Sequence, residues 1–253
     1  MQMGNNPFSL EGKTILVTGA SSGIGKATSI ECSQLGATVI ISGRNQQRLQ
    51  ETFDLLEGSD CHHQMIVADL TNPENIQMML EKMPQIDGVV LCAGKGLTLP
   101  VQFSTPEHFS DIFDVNFFSP IELLRLLYKK KHINKNGSVV LLSSLGGVGL
   151  FGGCNSIYGA SKSALNSMMK FCAKEFASRG IRVNSICPAM VETPFIHRGT
   201  ISDDQLKQDV DRYPLKRYGT PHDIAYMAIY LLSNASTWVT GQAFVIDGGR
   251  SLN

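Results

Sequence analysis

The chain's pattern predicts a doubly wound α/β fold, a parallel sheet with helices on both faces. Apolar, strand-like runs alternate with helix-like segments for nearly all of the 253 residues. Most of the runs are continuously apolar and lack the alternation of a strand with one wet face, as expected when both faces are covered. The first run also leads through a glycine-rich loop, TGASSGIG at 18–25, directly into a helix-like stretch. No linker, repeat or low-complexity tract breaks the pattern, so residues 1–253 read as one domain.

The expected strands are TILVT (14–18), TVIIS (38–42), QMIVA (64–68), GVVLC (88–92), SVVLLS (138–143), IRVNSI (181–186) and AFVI (243–246). Helices are expected near 24–35, 45–57, 73–83, 106–131, 155–179 and 221–233. Asn45 is placed to cap the second helix, Gly36 and Gly180 to stop two others, and Pro221 to open the last. The 106–131 segment is apolar beyond one stripe, with Phe109, Phe113, Phe117 and Phe118 added to its leucines, which predicts a partner helix against it. Residues 188–220 read as the longest irregular stretch, and a loop of that length in a compact domain is usually functional. Right-handed crossovers put ligand sites beyond the carboxyl ends of such strands.

Composition narrows the function. The 22 basic residues balance the 22 acidic ones, which argues against nucleic-acid or membrane-surface binding. No apolar run approaches the ~20 residues of a membrane span, and the N-terminus lacks a signal pattern, so the expected location is cytoplasmic. The six cysteines form no C-x-x-C pair and most lie in apolar contexts, which predicts reduced thiols and no metal site.

The loop after the first strand carries Gly19, Ser21, Ser22, Gly23, Ile24 and Gly25. Glycines there let backbone N–H groups approach a pyrophosphate, and the following helix N-terminus adds partial positive charge. At the second strand's end, an acid would bind the ribose 2′-hydroxyl of NAD. Here Gly43 stands at that place and Arg44 follows, which favours NADP(H) over NAD(H), although a solvated loop arginine is the plainer alternative. At the third strand's end, Asp69 and Leu70 lie where an adenine would sit, and Asp69 serves equally well as the cap of the next helix.

After the fifth strand come LLSSLGGVG and then YGASK. Tyr158 and Lys162 are four apart, hence on one helix face. A tyrosine is a poor base near neutrality, and a nearby ammonium favours its phenolate, while a loop serine can donate to a substrate oxygen. In order and spacing, TGASSGIG, the Ser144 loop and YGASK resemble the short-chain dehydrogenase/reductase family over residues ~10–250. The resemblance implies a seven-stranded Rossmann sheet with Tyr158 as acid/base. It implies further that Lys162 holds the nicotinamide ribose and lowers the tyrosine pKa, and that Ser144 orients the carbonyl. Asn116, a polar residue within FDVNFF, matches the family asparagine of a water-linked proton relay; otherwise it marks a structural kink. Cys92, Ala93 and Gly94 match a backbone contact to the cofactor, and Pro188, Val191 and Thr193 a segment beside the nicotinamide carboxamide.

Three departures stand out. Leu91-Cys92-Ala93-Gly94 replaces the family's N-N-A-G, which puts side-chain bracing of the sheet in question. Ala189 replaces a glycine, and Ser144 lies one residue further from Tyr158 than is commonest. Ser144 is chosen over Ser143 because Ser-x-x-Gly runs from it to Gly147. The pattern looks most like β-ketoacyl-acyl-carrier-protein reductases, with Lys135 and Arg179 at their two basic docking positions. A reductase of a sugar, a steroid or another small carbonyl is the alternative, and Lys95 stands where an anionic substrate could meet it. The resemblance implies a homotetramer, with a dimer next. A cofactor-sensing protein without activity is disfavoured by the retained Tyr158 and Lys162.

Overall fold

In the computed structural model, which describes residues 6–58, 61–196 and 203–252, the first apolar run becomes an interior strand of the sheet. Strand β1 (Thr14–Thr18) pairs in parallel with β2 (Thr38–Gly43) on one side and β4 (Ile86–Leu91) on the other. With β3 (Gln64–Val67), β5 (Ile133–Leu142), β6 (Arg182–Pro188) and β7 (Ala243–Ile246), the order is β3-β2-β1-β4-β5-β6-β7. The chain order reverses between β1 and β4, so a crevice opens above their carboxyl ends.

Helices cover both faces. On one, α1 (Gly23–Gln34), α2 (Gln46–Phe53) and α8 (Pro221–Leu232) bury Cys32, Leu49, Ile224 and Leu231 against Val17, Ile41 and Val140. On the other, α3 (Pro73–Lys82), α5 (Ser119–Lys129) and α6 (Ser156–Phe176) bury Ile76, Leu123 and Leu165 against Leu16, Val89 and Leu141. The caps fall as the sequence predicts: the Asn45 side chain accepts from Arg48 N–H, and Gly36 and Gly180 take φ of 87° and 69°. All six cysteines are free, and Cys154 is exposed.

Four expectations need correction. Residues 188–220 are not all irregular: α7 (Asp203–Val210) lies within them and buries Leu206 beside Tyr213 and Tyr218. Its two apolar positions, Leu206 and Val210, are too few to show a helical period. Strand β5 starts at Ile133 instead of 138, because its polar NKNG lead disguises a bulged start with Asn136 at φ 63°. Asp69 does not cap α3; the Asn72 side chain does, accepting from Glu74 N–H at 2.8 Å. The 106–131 helix is three pieces, α4 (Pro106–Phe113), a π-helical turn at Asp114–Phe118, and α5. Pro120 has no N–H for the carbonyl four residues back, which loosens the ladder there, and Ser119 N–H and Oγ both donate to Asp114 O instead.

Helix α8 starts with a reciprocal cap: Thr220 Oγ1 accepts from Asp223 N–H, and Asp223 Oδ2 accepts from Thr220 N–H at 2.7 Å. Thr220→Ala is expected to cost about 1 kcal/mol of stability, with Thr220→Ser nearly neutral, read from denaturant midpoints.

Candidate active site

The crevice is floored by residues that tolerate no added atoms. Gly19 has φ 66°, and a Cβ there would sit 2.8 Å from Ala93 N. A Cβ on Gly25 would collide with Gly19 O, and one on Gly23 would sit 3.0 Å from Thr193 Cγ2. The loop after β1 is thereby pressed between the ends of β4 and β6. Ser22 is extended before α1 but its side chain caps nothing, and no acid lies in the first turn. The α1 N-terminus thus presents uncapped N–H donors, the arrangement that suits a phosphate.

Around this floor the other predicted positions gather. Thr18 Oγ1 accepts from Cys92 N–H at 3.2 Å, so a threonine and the chain's own backbone link β1 to β4 where the family asparagines are missing. Leu70 is partly buried and packs against the core. Pro188 ends β6, buried. Gly219 is bonded to Met190 O and Glu192 N–H, so Val191 turns its own N–H the other way, while its carbonyl accepts from Thr193 Oγ1. Arg44 sits at the end of β2, 65 % exposed, with Nη1 3.7 Å from Asp69 Oδ2. Burial alone would raise the Asp69 carboxyl, but Thr71 N–H and hydroxyl and the Arg44 guanidinium hold it below the usual range.

Tyr158 and Lys162 lie on one face of α6, Nζ 5.9 Å from the ring centroid. Lys162 is 3 % exposed and donates to Leu142 O at 2.8 Å. Burial draws its pKa down to about 8, against a smaller upward pull from Cys92 and Cys187. Burial likewise pushes the Tyr158 phenol above its ordinary value, and its hydrogen bond with Ser144 offsets only part of that. In the protein alone, desolvation sets the direction of the phenol's shift, and the lowering by Lys162 that the resemblance implies is not among its causes.

The two serines have different places. Ser143 is buried, its hydroxyl donating to Lys162 O, whereas Ser144 turns to Tyr158 and caps the short turn ahead of Gly147. Asn116, fully buried in the π turn, accepts from Lys95 N–H at 2.7 Å and donates to Lys95 O and to Ser161 Oγ at 3.1 Å. It is both the kink and a link from the β4 loop to α6. Lys95 Nζ itself pairs with Asp111. Three neighbours escaped the sequence reading. Ser161 is the partner that a buried Asn116 needs. Asn166 Oδ1 accepts from Ser185 Oγ at 2.7 Å under the Ser144 turn. Phe195 stands over Tyr158, 6.1 Å between centroids. Of these only Ser161, lodged between Tyr158 and Lys162, had a signal in the chain.

Known proteins resemble this chain over its length. A family model described as enoyl-(acyl carrier protein) reductase matches residues 19–251. A 3-oxoacyl-acyl-carrier-protein reductase from Thermotoga maritima is 34% identical over 245 residues, covering 95% of this chain and 98% of its own. A tropinone reductase homologue from Arabidopsis thaliana is 33% identical over 252 residues, 97% of this chain and 92% of its own. Among solved structures, a dehydrogenase/reductase from Sinorhizobium meliloti superposes with TM-score 0.87 at 29% identity, covering 96% of this chain and 97% of its own.

The Ser144 turn rides directly on α6, since a Cβ on Gly147 would sit 2.9 Å from the Lys162 carbonyl carbon, whereas one on Gly149 would meet nothing nearer than 4.0 Å. Gly147→Ala should therefore cost about 1–3 kcal/mol. Gly149→Ala should stay within roughly 1 kcal/mol of the parent protein. Thermal unfolding of both variants, with equal losses expected only if the turn is not wedged on α6, checks the assignment.

Proposed function

The chain belongs to the short-chain dehydrogenase/reductase family of oxidoreductases, and we propose on that footing that it interconverts a carbonyl and a secondary alcohol with NADP(H). The observation that carries this reading is the meeting of Tyr158, Ser144 and Lys162 at the end of β5, beside a glycine loop shaped for a dinucleotide. The residues fit that cofactor: the uncapped α1 N-terminus suits a pyrophosphate, and Ala93, Gly94, Val191 and Thr193 line the path toward Lys162. When bound, the nicotinamide gives hydride to a carbonyl carbon or takes it from an alcohol.

The chain's own residues do the rest. Ser144 donates to the carbonyl oxygen, holding it where negative charge builds. Tyr158, kept as a neutral phenol by burial, gives that oxygen its proton in reduction and takes it back in oxidation. Lys162 is anchored by Leu142 O within reach of a ribose and, when charged, steadies the phenolate left behind. Asn116 holds the β4 loop against α6, and it is placed for a relay to Lys162, since a Cβ on Gly94 would lie 3.4 Å from its Oδ1 and 3.5 Å from Lys162 Nζ.

NADP(H) over NAD(H) rests on Gly43 and Arg44. A Cβ at Gly43 would make ordinary contact with Ser21, so there is room for the absent acid, and its absence leaves a 2′-phosphate unopposed at that position. The Arg44–Asp69 pair is long and exposed, hence weak enough for the guanidinium to turn to a phosphate. A solved relative from Beutenbergia cavernae, 28% identical, was crystallised with NADP. A homotetramer is the assembly we propose, with the exposed Phe109 and Phe118 meeting a second copy. Of the two docking positions of the carrier-protein reading, Arg179 is also engaged within the fold. Arg179 stacks over Tyr128, and its Nη2 donates to Ile133 O, which makes it a clasp between α5, α6 and β5.

Three outcomes are expected. Tyr158→Phe should lower NADPH-dependent carbonyl reduction by about 10²–10⁴-fold while cofactor binding survives; full activity in that variant would sink the mechanism. Gly43→Asp should shift the ratio of NADPH to NADH turnover toward NADH, and a parent protein that already prefers NADH would overturn the reading of Arg44. Reduction needs the protonated phenol and a charged lysine. Since the phenol pKa is raised and Lys162 titrates at about 8, reductive turnover should hold at neutral pH and fall as pH climbs past about 8. A pH–rate profile measured with NADPH checks this.

A further inference from the structure

The described part of the mouth of this site is built from three loops, those after β4 (94–105), after β5 (144–155) and, over its described residues 189–196, after β6. They are tied to one another. Leu99 N–H donates to Cys154 O at 2.6 Å, joining the first two. The tip of the Phe195 ring presses on the first at Gly96, where an added Cβ would sit 2.8 Å from Phe195 Cζ, and the same ring meets Tyr158 at a tilt, 6.1 Å between centroids. Each of the three presents large apolar side chains to solvent: Val101 and Phe103 from the first, Val148 and Phe151 from the second, Phe195 from the third. Phe151 is 81 % exposed and Phe195 41 %, although both lie on loops that flank a polar reaction centre.

Charge is nearly missing from the same loops. Residues 144–155, SLGGVGLFGGCN, hold no charged side chain and five glycines. Lys95, the one cation of the first loop, is paired with Asp111. Glu192, the one charge among the described residues of the third, has a partner, and its charge reaches Tyr218; His197 and Arg198 follow in the sequence. A polyol or a sugar acid binds by having many hydrogen bonds or an ion pair returned to it, and a site that leaves those groups unpaired rejects such a ligand strongly. Exposed aromatic and aliphatic side chains around one polar centre instead recognise a substrate that is apolar except at its reacting oxygen.

We propose, resting on the carbonyl-reductase reading above, that the substrate is an apolar ketone or its secondary alcohol, without hydroxyl, carboxylate or phosphate substituents, gripped by Phe151 and Phe195. The test uses the full-length protein with NADPH, with 2-octanone and 2-tetralone set against fructose and 5-ketogluconate. Binding of each is followed by saturation-transfer NMR beside turnover. The apolar ketones are expected to bind and to be reduced with the higher kcat/KM. Phe151→Ser and Phe195→Ser should each raise their KM about tenfold or more. Equal or better kcat/KM for 5-ketogluconate, or an unchanged KM in both variants, would overturn the proposal. If no carbonyl is reduced, the reductase reading fails by itself. The NMR signal then still decides the substrate class: ketone binding that weakens in both variants supports it, and binding of the polar compounds alone refutes it.

Discussion

An ammonium buried to 3 % exposure is the demand that organises this site. Lys162 can stay charged only where acceptors reach it, and the carbonyl of Leu142, at the last residue of β5, is one at 2.8 Å. That bond fixes the distance between the end of β5 and α6. Ser143 completes the clasp from the next residue by donating to the lysine's own carbonyl. With strand and helix drawn so close, Gly147 cannot carry a side chain, and the Ser144 turn is held on the helix face that bears Tyr158. The opposite wall follows the same logic. Asn116 reaches from a π turn to the backbone of Lys95 and to Ser161, and π turns commonly mark functional positions because they aim a side chain that a regular helix would not.

The same burial sets the electrostatics. Desolvation acts on both members of the pair, raising the phenol and lowering the ammonium, so each is pushed toward its neutral form. A neutral phenol is a proton donor, and under the proposed chemistry it stands ready for the reductive direction. Ser144 is the one group among the causes of the shift that works against the rise, and under the proposed chemistry it is also the group that meets the developing oxyanion. Cys92 and Cys187 lie close enough to act on Lys162, but burial pushes the Cys92 thiol to about 12 and the Cys187 thiol upward, so both remain neutral at physiological pH.

Most of the sheet was legible because strands covered on both faces must be apolar throughout, and runs such as TILVT and TVIIS leave no other reading. The glycine loop, Tyr158 and Lys162 were legible for a related reason: close backbone approach and a fixed helical offset both leave marks in the linear chain. What stayed hidden depends on partners distant in sequence. Helix α7 owes its place to Leu206 meeting Tyr213 and Tyr218, not to its own period. The choice between Asp69 and Asn72 as a cap depends on backbone angles that neither residue type dictates. Arg179 looked like a surface cation until Tyr128 and Phe176 stacked at 3.8 Å beneath it. Spacing along α6 reveals a neighbouring charge but not the depth at which both groups are buried, and that depth sets the direction of the Tyr158 shift.

Leu91 and Cys92 stand where the resemblance implies two asparagines, and the backbone there is braced without them. The Thr18 hydroxyl accepts from the backbone N–H of Cys92 instead, a bond that depends on the main chain and so survives any side chain at that position. Ala93 keeps the close approach to Gly19, and Gly94 keeps the space between Asn116 and Lys162. The constraint that persists is therefore one of backbone and volume, carried by Gly19, Ala93 and Gly94. Under the proposed chemistry, the loops beyond them, where Phe151 and Phe195 face solvent, are the part of the molecule left to select the carbonyl.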